Sequence, residues 1–145
     1  MYDIIDWPDR IYVEDKYHPM YHELMAKGEN ERVPFKSLKE IFMYSAVLGM
    51  LSGQKRPLEK KHELIFERYL DSKVDKPLIQ CIYLLDEQND DAIVDKKGAA
   101  ELIQQYANAG FETLYEIVTK GYDMVASLAH YLIEHQPEES PTAQT

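Results

Sequence analysis

His18 and His22 stand four residues apart in His18-Pro19-Met20-Tyr21-His22-Glu23. On a helix this spacing puts both rings on one face, the arrangement that helical metal sites use. A zinc hydrolase of that type needs a glutamate directly after the first histidine, and Pro19 stands there instead. With no third ligand in view, His18 and His22 are expected to be surface histidines. His130 and His135 are five apart and share no face. The second suggestive group is basic: Lys36, Lys39, Lys55, Arg56, Lys60, Lys61 and Arg68. Such a cluster can grip phosphates or an acidic protein surface. Its bland reading is a solvated helix face, because Glu59, Glu63 and Glu67 interleave with it at ion-pair spacing. No aromatic residues alternate with these bases, which argues against single-strand stacking. Cys81, the sole cysteine, has no charged neighbour to activate it and is expected in the core. Six scattered glycines form no phosphate-binding fingerprint. The acid pairs Asp90-Asp91 and Glu138-Glu139 fall in a loop and a tail, where solvation accounts for them. These residues predict no catalysis, no metal and no cofactor.

The composition sets bounds around that chemistry. The 145 residues suit one domain, and 45% hydrophobic with 29% charged content is that of a folded protein. No apolar run approaches the roughly 18 residues of a membrane span. The acidic start, Met1-Tyr2-Asp3-Ile4-Ile5-Asp6, has no signal pattern, and a single cysteine gives no internal disulfide, so a cytoplasmic protein is expected. The net charge of −10 is uneven: −4 over residues 1–35, +3 over 36–70 and −9 over 71–145. A field of this sign repels DNA except at the middle third.

The elements that must position these residues read as helical. Residues 1–9, with Trp7, form an N-terminal arm. Arg10 to Glu14 suits one short strand. Asp15 suits an N-cap for a helix through Tyr17, Tyr21 and Leu24 that ends near Gly28. Trp7 and Tyr12, with Tyr2, Tyr17 and Tyr21, either anchor a partner or pack back on the body. Ser37 and Glu40 make a capping box for a helix apolar on most sides, with Phe42 and Leu48 in the core and Gly49 permitting a close crossing. Ser52-Gly53 ends it. Leu58 to Leu70 reads as a charged helix, Asp75 starts another through Leu78, Ile79, Cys81, Ile82 and Leu85, and Asp86 to Asp91 is an acidic loop. Ala99, Leu102, Ile103 and Tyr106 mark a helix that Asn108-Ala109-Gly110 breaks. Phe111, Leu114 and Val118 mark the next, and Val125, Leu128, Ala129 and Leu132 a last one. The expectation is an all-α single domain over 10–135, a bundle of six to seven short helices with at most one N-terminal strand, and a disordered tail at 136–145.

The run Pro34-Phe35-Lys36-Ser37-Leu38-Lys39-Glu40-Ile41-Phe42-Met43-Tyr44-Ser45-Ala46-Val47-Leu48-Gly49 resembles the fourth family of proteins associated with DNA phosphorothioation (Dnd) systems. The Gly53-Gln54-Lys55-Arg56-Pro57-Leu58 turn and Tyr106-Ala107-Asn108-Ala109-Gly110 with Leu114 are similar as well, over about residues 10–120. The resemblance implies a bacterial defence setting in which sulfur replaces a non-bridging phosphate oxygen and marks self DNA. It carries no enzymatic motif. The leading expectation is a non-catalytic accessory subunit that binds a larger restriction or modification protein. A small DNA-binding module using segment 36–68 is the runner-up, and a metal-dependent hydrolase at His18 and His22 a distant third. Homo-oligomerisation stays open.

Overall fold

The computed structural model describes residues 6–30, 35–88, 95–120, 129–130 and 133–134. Strand β1 (Arg10–Glu14) leads through a 3-10 turn (Asp15–Tyr17) into helix α1 (His18–Asn30). Then come α2 (Leu38–Leu51), β2 (Lys61–Phe66), a second 3-10 turn (Glu67–Tyr69), α3 (Asp75–Glu87) and α4 (Lys96–Thr119). Among the described residues, these four helices and a two-stranded antiparallel sheet replace the expected all-α bundle of six to seven helices.

Helices α2 and α4 form the centre. Ser37 caps α2 by accepting the Glu40 N–H at 3.3 Å, and the Glu40 carboxylate reaches back to the Lys36 N–H at 2.8 Å. That satisfies donors the first turn leaves free. Ser52 and Gly53, at φ +69°, close the helix as expected. The two helices cross in contact at two glycines. A Cβ on Gly49 would lie 2.0 Å from the Tyr106 carbonyl oxygen, and one on Gly110 1.9 Å from that of Ser45. Gly110 therefore does not break a helix. It lies inside one continuous α4 and lets the backbones meet, which merges two expected helices into one. Phe42, Ile41, Phe111 and Leu114 fill the interior beside this crossing, and the Tyr21 ring stacks on Phe111 with centroids 4.2 Å apart.

The sheet accounts for the second correction. Leu58 to Leu70, read as a charged helix, contains β2 instead, with Arg10 opposite Phe66 and Glu14 opposite Lys61. An isolated β1 would leave its backbone groups unpaired, and long-range pairing overrides the local helical spacing of Glu59, Glu63 and Glu67. Two buried polar side chains fix the arrangement. The Glu14 carboxylate accepts the N–H groups of Glu59 and Lys60 at 2.9 and 3.2 Å. A bulge at Ile11/Tyr12 frees the Tyr12 N–H, which donates to Gln104 of α4 at 2.7 Å. The buried Ile11 and Val13 hold the sheet on the core.

The ends fall largely outside this description. Of the expected arm only Asp6 onward is described, and there Trp7 packs half-buried on the core. The tail at 136–145 and most of the last expected helix lie outside the described residues, as do residues 89–91 of the expected acidic loop. Its first residues, Asp86 and Glu87, complete α3.

Candidate protein-docking surface

The structure adds a third ring to the histidine pair. His62, at the start of β2, stacks on His18 with centroids 3.7 Å apart, while His22 meets His18 edge-on at 4.7 Å. Asp15, expected as a helix N-cap, instead lies inside the 3-10 turn before α1. Its carboxylate bonds the His62 Nδ1 at 2.9 Å and pairs with Lys60 at 3.5 Å. The His62 hydrogen bond holds the Asp15 carboxyl below its usual range. Burial, with the His62 and His22 charges acting the same way, holds His18 below the usual imidazole range, and Asp15 offsets part of this. The rings stack on one another instead of converging on a point. Among the described residues no group of three or more His, Cys, Asp or Glu side chains is placed to hold a metal ion. The cluster joins the start of α1 to the start of β2. Its third member could not be seen while 58–70 read as a helix.

The basic residues do not share a helix face. Lys39 pairs with Asp75 of α3 at 3.0 Å, and Lys55 with Asp86 at the other end of α3, also at 3.0 Å. Asp86 accepts the Tyr106 hydroxyl at 2.6 Å as well, and that bond with Lys55 lowers its carboxyl pKa. Arg56 lies 3.6 Å from Glu112 and 3.4 Å from the Tyr17 hydroxyl, which also donates to Glu112. Burial and that carboxylate push the Tyr17 phenol up to about 12. Lys61 sits 6.0 Å over the Tyr12 ring, and the Arg68 guanidinium 4.6 Å over Phe66. Lys36 is exposed. Four of the seven cations thus face carboxylates of this same chain. Of the aromatics near the N-terminus, Tyr17 and Tyr21 are buried, Trp7 and Tyr12 are half-buried with Lys76 5.8 Å over the Trp7 ring, and Tyr2 lies outside the described residues.

Apolar groups, by contrast, remain uncovered. Val74 is 64% exposed, Leu78 42% and Leu85 74%, and Cys81 is exposed rather than in the core. On α3 only Ile79 and Ile82 are buried. The apolar arc of this helix is wider than the surface it packs on. Leu78 also lines a cleft of about 380 Å³ with Met43, Tyr44 and Val47 of α2. A neighbouring cleft of about 350 Å³ lies between Leu38, Ile65 and the exposed Tyr69, and Lys39 borders both. Contiguous apolar surface rimmed by polar groups marks association sites. The 74, 78, 81, 85 spacing was legible in the sequence, but an apolar period alone does not say which side the core occupies.

Fold and surface together describe a small α/β domain, with four of the seven cations of its basic segment paired internally and apolar side chains of α3 exposed. The chain belongs to the family described as DNA sulphur modification system-associated protein 4, which matches residues 10–145. No curated protein and no solved structure matches it. The family is associated with DNA sulphur modification systems. Among the described residues no helix is long and apolar enough to cross a membrane.

Proposed function

We propose that this protein is a non-catalytic accessory subunit of a bacterial DNA-phosphorothioation defence system, acting in the cytoplasm by binding a larger protein of that system. One observation carries the choice over a DNA-binding module. Lys39, Lys55, Arg56 and Lys60 face Asp75, Asp86, Glu112 and Asp15, while Val74, Leu78 and Leu85 stay exposed. Gripping DNA with those cations means giving up internal partners against a net charge of −10. Covering the apolar flank requires no such exchange. The test is co-expression of the tagged chain with each modification and restriction protein encoded beside it, followed by size-exclusion chromatography. A stoichiometric complex with one of them is expected. Failure to form a complex with any of them removes this reading.

A further inference from the structure

The two edges of the sheet are not alike. In an antiparallel ladder, hydrogen-bonded pairs alternate with non-bonded ones. The Asp15 N–H donates to the Lys60 carbonyl at 2.7 Å. Asp15 and Lys60 are therefore a bonded pair, and so are Val13 and His62, two residues further in. Glu14 with Lys61 and Tyr12 with Glu63 are then non-bonded pairs, whose main-chain groups point away from the ladder. On the β1 side that direction leads to α4, where Gln104 accepts the Tyr12 N–H at 2.7 Å. On the β2 side, the outward N–H and carbonyl groups of Lys61 and Glu63 have no hydrogen-bond partner among the described residues. Lys61, His62 and Glu63 are all exposed. This stretch is an open edge, and it stops at Leu64, the bulge residue with no opposite number on β1.

An open edge takes a further strand, and the side chains here select a second copy of β2. A new antiparallel strand bonds through the outward groups, those of Lys61 and Glu63. A two-fold axis at His62 sets Lys61 of one copy opposite Glu63 of the other, and Glu63 opposite Lys61. Each such pair exchanges both N–H···O bonds and brings opposite charges together on one face. The other registers that bond these groups set Lys61 opposite Lys61 or Glu63 opposite Glu63, and like charges repel there. Lysine and a bulge ordinarily deter edge pairing. Here the bulge confines pairing to the segment where lysine meets its complement. Glu63 already accepts Arg10 of its own chain at 2.6 Å yet stays exposed, so a second cation can reach its carboxylate.

We propose that this protein forms a two-fold dimer through the outer edge of β2, antiparallel and centred on His62, with strand order β1–β2–β2–β1 across the axis. The dimer does not depend on the accessory-subunit reading, and the surface it uses is separate from the apolar flank of α3.

Sedimentation of the full chain over a concentration series tests it. At about 0.15 M salt the Debye length of about 8 Å screens the repulsion between chains of net charge −10. Wild type should show a monomer–dimer equilibrium. Lys61→Glu and Glu63→Lys should each weaken it by about tenfold, because both cross-strand pairs become like charges. An equimolar mixture of the two variants should dimerise again, since every facing pair is then opposite in charge. The double exchange Lys61→Glu/Glu63→Lys, which keeps the net charge, should dimerise like wild type. These positions are exposed, so the charge variants should melt with the wild type. In a Cys81→Ser background, His62→Cys should form an intermolecular disulfide, because non-bonded partners sit about 4.5 Å apart at Cα, within disulfide reach. Lys61→Cys should not.

A wild type that stays monomeric at every concentration overturns the dimer. A dimer that both single reversals leave intact belongs to another face and overturns it as well. Loss of the dimer in each single variant without recovery in the mixture overturns the register.

Discussion

Stacked on His62, met edge-on by His22 and partly withdrawn from water, the His18 ring is harder to protonate in the folded chain than in the unfolded one. In the unfolded chain it takes a proton near its ordinary value of 6.5, in the folded protein only at lower pH. The stabilisation from the neutral stack is therefore complete above about pH 6.5 and is lost as pH falls through the folded value. Asp15 bonds His62 in the cluster and pairs with Lys60 beside it. Because Asp15 is held below 3.8, its own contribution persists to more acidic pH. Melts between pH 7.5 and 5 should show a larger fall for wild type than for His18→Phe, which keeps a ring but cannot titrate. Parallel falls would show that the stack does not couple protons to folding. The His18/His22 pair was legible from spacing alone. His62, forty residues further on, was not, because a pairing between distant strands brings it there.

Gly49 and Gly110 act on the scale of elements. Each faces a carbonyl of the opposite helix, at Tyr106 and Ser45, closer than any Cβ permits. Backbone cannot rotate away as a long side chain can, so Gly110→Ala must push α2 and α4 apart. Overpacking of this kind costs about 3 kcal/mol at the upper end of such changes, against about 1 kcal/mol gained from helix propensity, so a net loss of about 2 kcal/mol is expected. Thermal or denaturant unfolding of Gly110→Ala against wild type measures it. A variant as stable as wild type would mean that the helices do not meet here. From sequence, Gly49 was legible as a crossing point because strong apolar periodicity surrounds it. Gly110 was read as a break because Asn108-Ala109-Gly110 has the composition of a turn. Asn108 instead donates to the carbonyls of Arg56 and Pro57 at 3.0 and 3.3 Å, pinning the loop before β2.

Over the whole molecule, charge decides which partners can approach. A net charge of −10 with most of the basic middle third matched internally predicts negligible duplex binding at physiological salt. Were Lys55, Arg56, Lys60 and Lys61 to hold about four phosphates, affinity would fall with a log–log salt slope near −3.6. Fluorescence anisotropy on a labelled duplex between 50 and 200 mM salt separates the two. Tight binding with that slope, abolished by charge reversal at those four positions, would restore the DNA-binding reading. Charge reversal is expected to alter stability little, since exposed ion pairs contribute about 0–1 kcal/mol each.

By itself the sequence determined what rests on neighbours along the chain. The Ser37–Glu40 cap, the central α2 with Phe42 and Leu48 buried, the stop at Ser52-Gly53, the β-branched strand at Arg10–Glu14 and the family resemblance all follow from residues within a turn or two of one another. Only the tertiary structure decided what depends on distant partners. It made 61–66 a strand through β1 and the Glu14 carboxylate, joined two helices into α4 across Gly110, and gathered His62 to His18. It also turned Val74, Leu78, Cys81 and Leu85 outward. A periodic pattern fixes which residues share a face. Which face is left for a partner is fixed by how much of it the rest of the chain can cover.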